Sequence, residues 1–206
     1  MINDDIIKRK NFWDSMHIEK NVSALSGCQY VETIEFLGVN KLLVPKMHVL
    51  EVGVGLGYVT KGFHENGFLI CGLDISDVAL ERVKKYCEHT YSAEKFEELP
   101  SNYFDVIICH NLIQHIPTDL LIVELTHIMR SLKDDGIFAV EFVSSKLGDD
   151  TGINVEYDGN HVGRYCRTPA CLEELINNLG GKCEMVINNQ VYNSEITGCH
   201  VFHVRK

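Results

Sequence analysis

The apolar residues of this chain change their spacing near Pro45. Before it they recur as on helices. Ile6, Ile7, Phe12, Trp13 and Met16 fall on one face of a first helix, and Leu25, Val31, Ile34 and Leu37 on a second, over about 23–37. After Pro45, short apolar runs alternate with helical stretches. The pattern predicts strands at 47–52, 68–73, 89–92, 104–109 and 136–143. Between them it predicts helices at 58–65, at 77–86 with Ser76 as its cap, and from a capping Thr118 through Leu121, Leu125, Ile128, Met129 and Leu132. Thr168 and Pro169 open a last helix, which Gly180 and Gly181 close. Two late strands, 183–192 and 196–204, are separated by a short turn at Asn193 and Ser194.

Strands alternating with helices imply a mostly parallel sheet covered on both faces. The closing hairpin makes the last strand antiparallel to the rest. The fold expected is α/β: a doubly wound, mostly parallel seven-stranded sheet with a C-terminal antiparallel hairpin. Residues 1–45 are expected as a helical cap and 46–206 as the main domain. Inside that domain the polar segment 144–165, with glycines 148, 152, 159 and 163, is long enough to shape a binding surface.

Composition narrows the class. The length of 206 residues and an apolar share of 45% suit one globular domain with a full core. No run approaches the length of a membrane span, and residues 1–10 lack the apolar stretch of a signal peptide. The eight scattered cysteines form no C-x-x-C pair, so they read as buried thiols in a reducing, cytoplasmic setting, with no metal site expected. A net charge of −10 disfavours nucleic acid as a partner.

The segment Val49-Leu50-Glu51-Val52-Gly53-Val54-Gly55-Leu56-Gly57-Tyr58 follows a strand and opens a helix. Glycines there allow a sharp turn and close approach of a ligand. A dinucleotide loop needs G-x-G-x-x-G, and Tyr58 stands where its last glycine belongs. The glycines run G-x-G-x-G instead, two residues after the acid Glu51. A second acid, Asp74, ends the next strand about 20 residues on; taken alone it also suits a helix cap.

On these residues the sequence resembles the class I S-adenosylmethionine-dependent methyltransferases, whose first motif is an acid followed by x-G-x-G-x-G. Leu73-Asp74-Ile75-Ser76 resembles the second motif, Ser92-Ala93-Glu94 the segment flanking adenine, and Phe104-Asp105-Val106-Ile107-Ile108 the fourth strand. The segment Leu112–Ile116 resembles the family's stretch after that strand, and 132–136 its turn into strand five, so the likeness runs in order over about 49–143. The resemblance implies S-adenosylmethionine as cofactor, with Glu51, Gly53, Gly55, Gly57, Asp74, Ala93 and Glu94 as its binding residues and Asp74 on the ribose.

The acceptor belongs beyond the carboxyl ends of the strands. His110 and Asn111 follow the fourth strand; His110 is either a general base for a hydroxyl or a strand-end hydrogen-bonding group. Glu141 faces either the acceptor or a neighbouring backbone donor. His161, Arg164 and Tyr165, from the 144–165 segment, are further acceptor-side candidates, and Trp13 belongs to an N-terminal lid or only to packing. Three functions stay open: methyl transfer to oxygen or nitrogen of a small polar molecule, methyl transfer to RNA or protein, and non-catalytic binding of S-adenosylmethionine. The Asn/Asp-Pro-Pro-Tyr/Phe signature of many base-amino methyltransferases is replaced here by Cys109-His110-Asn111-Leu112.

Overall fold

The computed structural model describes residues 2–18, 30–145, 152–157, 160–190 and 196–206; at 2–5, 152–157, 160–164 and 190 it describes the backbone alone. The N-terminal part contributes α1 (Ile2–Ile18) and α2 (Tyr30–Phe36); the expected start of the second helix, 23–29, lies outside the described residues. After these come β1 (His48–Val52), α3 (Tyr58–Glu65), β2 (Leu69–Asp74), α4 (Asp77–Val83), β3 (His89–Ser92), β4 (Phe104–Cys109), α5 (Thr118–Ser131) and β5 (Leu132–Ser145). The chain ends with β6 (Gly152–Tyr157), β7 (Asn160–Tyr165), α6 (Pro169–Asn178), β8 (Lys182–Gln190) and β9 (Ile196–Arg205).

Seven strands form one sheet in the order β3-β2-β1-β4-β5-β9-β8. The first five are parallel, and β9 runs antiparallel to both β5 and β8. Successive residues of each central strand point to opposite faces, and both faces are covered. Leu50, Leu73, Ile107 and Phe138 pack with Leu121, Leu125 and Leu172 from α5 and α6. Val49, Ile70, Val106 and Ile108 pack with Ile34 of α2, Leu37 just after it and Phe63 of α3. That double burial explains the nearly unbroken apolar strands. Strand order reverses between β1 and β4, so a crevice opens beyond their carboxyl ends.

Several local expectations change. Ser76 does cap α4, its Oγ accepting from the Ala79 N–H at 3.2 Å, but that helix stops at Val83. Thr118 does not cap α5: Pro117 holds the cap position without a side-chain bond, and the Thr118 hydroxyl faces Arg167 instead. β5 begins at Leu132, where a turn was expected. The polar segment 144–165 is no plain loop, since β6 and β7 pair as an antiparallel hairpin. Ile7, expected on the apolar face of α1, is 52% exposed. Polar contacts seat that helix. Lys10 Nζ meets Asp77 at 2.8 Å and Glu94 at 2.7 Å, Asp14 Oδ1 accepts from Ser76 Oγ at 2.6 Å, and Arg82 donates to the His17 carbonyl at 2.9 Å. Among the described residues no helix is long and apolar enough to cross a membrane.

Candidate functional site

The pairing of β1 with β2 sets Val52 beside Leu73, so the glycine loop after β1 lies against Asp74 at the end of β2. Gly55 donates its N–H to Asp74 Oδ2 at 3.0 Å, and Ser76 donates to Asp74 Oδ1 at 2.9 Å. Gly53 donates to the Leu73 carbonyl at 2.7 Å and Gly57 to that of Val54 at 2.8 Å. All three glycine amides are thus used within the protein, whereas a phosphate cradle would turn them to its ligand. All three glycines sit at positive φ, Gly53 at +85°. Gly55 has φ +47°, and a Cβ on Gly57 (φ +80°) would lie 2.5 Å from Val83 Cγ1.

Two buried acids face this loop. Glu51 Oε2 accepts from Thr60 Oγ1 at 2.5 Å. Burial pushes the Glu51 carboxyl up to about 8; the bond from Thr60 opposes the shift and the charge of Asp74 adds to it. Burial also raises Asp74, against the bonds from Ser76 and Gly55. Neither acid has a Lys or Arg ion partner among the described residues. Such a pair wants a ligand that brings positive charge and hydroxyl donors. S-adenosylmethionine, with its ammonium, sulfonium and ribose hydroxyls, matches that demand.

A single cavity unites these groups. Glu51, Gly53, Gly55, Gly57 and Asp74 line it, as do Ala93, His110, Asn111 and Trp13. Its roof is α1, where Arg9, Trp13 and His17 project at intervals of one helical turn. Trp13 stands edge-on to His115 with 5.2 Å between ring centroids and stacks on His17 at 6.1 Å. His17 is itself buried; desolvation lowers its pKa, and its Nδ1 has no partner among the described residues.

On the β4 side Asn111 adopts φ +54°, uncommon for a residue with a side chain. Glu141 explains how it is held. Its Oε2 accepts from the Asn111 N–H at 2.6 Å and lies 3.4 Å from His110 Nε2, while Oε1 accepts from Cys199 Sγ at 3.1 Å. Glu141 therefore stands behind the cavity wall and braces the residues that form it. Glu94 also lies off the wall, its carboxylate taken by Lys10. Tyr165 does not line the cavity either; its carbonyl accepts from Arg167 Nη1 at 3.1 Å. His161 and Arg164 belong to β7, but their side chains lie outside the described residues.

Sequence reasoning missed two residues. Arg167, only 1% exposed, donates to the carbonyls of Ile113 at 3.0 Å and Ile116 at 2.6 Å and so pins the loop after β4. An arginine between Cys166 and Thr168 carried no periodic signal. Glu124 did carry one: it is an acid on the apolar stripe of α5, and it too lines the cavity.

The sequence model of a family described as "Methyltransferase domain" matches residues 26–180. A ubiquinone biosynthesis O-methyltransferase of Coxiella burnetii (strain RSA 493 / Nine Mile phase I) is 30% identical over 77 residues, 34% of this chain and 33% of that protein. The chain therefore matches about a third of the length of this curated relative. Among solved structures, a DhpI–SAM–HEP complex superposes with a TM-score of 0.69 at 16% identity, covering 98% of this chain and 97% of that one. The magnesium protoporphyrin IX methyltransferase of Synechocystis PCC 6803, with bound SAH, gives 0.66 at 14% identity, covering 97% and 99%. At such identities the structural likeness speaks for the fold, and the family match, spanning well over half of the sequence, speaks for kinship: the chain belongs to the methyltransferase-domain family.

Proposed function

We propose that this chain is an S-adenosylmethionine-dependent methyltransferase acting on an oxygen or nitrogen of a small polar molecule. The observation that carries the reading is the bond from Gly55 to Asp74 within a cavity that also holds the buried Glu51. Glu51 and Asp74 would hold the cofactor, Asp74 through its ribose hydroxyls, and Ala93 would flank the base. The cofactor supplies a methyl group already activated on a sulfonium, so the protein's work is alignment of the acceptor and control of its proton. His110 is the candidate base for a hydroxyl acceptor, oriented by Glu141 from behind.

Residues 1–45 act as a cap in this reading, with Trp13 and His17 of α1 lying over the cofactor. The hairpin β6–β7, which carries His161, Arg164 and Tyr165, borders the acceptor. The names of the ubiquinone-biosynthesis relatives support a small-molecule acceptor and transfer to oxygen. A net charge of −10 gives no broad attraction for nucleic acid, and the scattered cysteines, free among the described residues, suit the cytoplasm. A thermal-shift panel with S-adenosylhomocysteine present, followed by transfer of labelled methyl from S-adenosylmethionine, tests the class. The expected result is label in a hydroxylated or amino metabolite. Label found solely in bulk RNA or intact protein would overturn the acceptor class.

A further inference from the structure

Two acids compete for the adenine end of the cavity. Glu94 follows Ala93 at the end of β3, where the resemblance sets the residue beside the base. Its carboxylate is bonded to Lys10 Nζ at 2.7 Å, its side chain is 36% exposed, and it does not line the cavity. Glu124 is 8% exposed and lines the cavity together with Ala93, Ile116 and Arg9. Its one close polar contact among the described residues is Arg9 Nη1, 3.9 Å from Oε1 and beyond hydrogen-bonding distance.

The packing of α5 sets Glu124 at the base end. The rings of Phe96, just after β3, and His127 stack with 6.1 Å between centroids. Arg130 donates to the Leu99 carbonyl at 2.7 Å. Glu124 stands one helical turn before His127, on the side of α5 that faces the core. The roof helix agrees: His17 lies by Gly55 and Asp74, while Arg9, two turns away or about 12 Å along the axis, comes down on Glu124.

We propose that Glu124, and not Glu94, reads the amino edge of the adenine ring, with Arg9 closing the cavity behind it. The assignment rests on the cofactor reading under Proposed function. A carboxylate accepts a hydrogen bond from the exocyclic amine of adenine. In hypoxanthine a carbonyl oxygen occupies that place, and two acceptors face each other without a proton between them. Burial pushes the Glu124 carboxyl up to about 7, although Arg9 and Arg167 pull it down; a ligand amine is the hydrogen-bond donor this carboxyl lacks.

The test is calorimetric titration of the full chain at pH 8, where Glu124 is mostly ionised, with S-adenosylhomocysteine and with S-inosylhomocysteine. Wild type is expected to prefer the adenosyl ligand by at least about tenfold, since a site built around a donor rejects the analogue that lacks it. Glu124→Gln should shrink that preference to about threefold or less, because an amide can also donate to the carbonyl. Glu94→Gln should keep the wild-type preference. If Glu124→Gln fails to fold, Glu124→Asp, which withdraws the carboxylate by one methylene, is judged by the same loss of preference. An undiminished preference in the Glu124 variant, a loss in Glu94→Gln, or no preference in wild type would overturn the assignment. Failure of wild type to bind S-adenosylhomocysteine at all would instead remove the cofactor reading beneath it.

Discussion

The Gly55 amide and the Asp74 carboxylate, 3.0 Å apart, join the first loop of the sheet to the end of its second strand. The bond uses one lone pair of Oδ2 and leaves the acid capacity for further donors. It also fixes the loop in a shape that needs φ +47° at Gly55.

Gly55→Val should damage cofactor binding more than folding. Among the described residues a Cβ at Gly55 would meet His17 Nε2 alone, at 3.8 Å, so packing does not forbid it. The left-handed backbone angle costs roughly 1–2 kcal/mol for a residue with a side chain, and the added methyls would enter the cavity. Thermal melts against calorimetry with S-adenosylhomocysteine check this. A variant that unfolds outright would make the loop a packing device.

Cofactor affinity should depend on pH through Glu51. Its folded carboxyl sits at about 8 because of burial, so at neutral pH the free protein mostly holds that proton. A cationic ligand beside it favours the ionised form, so binding releases a proton. Affinity should rise with pH between about 5 and 7, by up to about tenfold per unit. For the ligand-free fold the sign is reversed. The folded state binds more protons than the unfolded chain, so this group's contribution to stability falls as pH rises from the ordinary carboxylate range towards 8. Titration in buffers of different ionisation enthalpy measures the released proton, and a proton count of zero at about pH 6.5 would exclude Glu51 as the group that titrates.

His110→Ala should lower turnover by about 10²- to 10⁴-fold if the acceptor is a hydroxyl. Cofactor affinity should change little, because Glu51, Asp74 and the glycine loop are untouched. Steady-state rates with the acceptor found in the metabolite panel decide it. Turnover like that of wild type would leave His110 a wall residue braced by Glu141.

Much of this was legible in the sequence. Strands buried on both faces write themselves as apolar runs, and the loop glycines are forced by backbone angle and close contact, so β1 to β5 and the cofactor side were readable. The acceptor side was not, because tertiary contacts decide it. Glu141 sits at an alternating position in β5, yet its carboxylate serves the Asn111 amide. Glu94 occupies the expected place after β3, yet Lys10, 84 residues away, takes its carboxylate. The fixed point of the loop after β4 is Arg167, whose role depends on carbonyls about 50 residues earlier in the chain.

Arg167→Met should therefore cost stability and also disturb the site. The buried carbonyls of Ile113 and Ile116 would lose their donor, at on the order of 2–5 kcal/mol in total. Chemical denaturation should show a lower midpoint with an unchanged slope. A change within about 0.5 kcal/mol would mean that the loop is held by other contacts.

The central claim is that Glu51, the glycine loop and Asp74 form an S-adenosylmethionine site, and calorimetry of wild type and Asp74→Ala with S-adenosylhomocysteine tests it most directly. Asp74 accepts from Gly55 and Ser76 and lines the same cavity as Glu51. Loss of a charged hydrogen-bonding partner for the ribose should weaken binding by about 1.5–3 kcal/mol, or roughly 10- to 150-fold. Saturable one-to-one binding to wild type, weakened by that amount in the variant, is the predicted result. Binding of equal strength in both proteins would contradict the ribose assignment, and no binding to wild type would contradict the site itself.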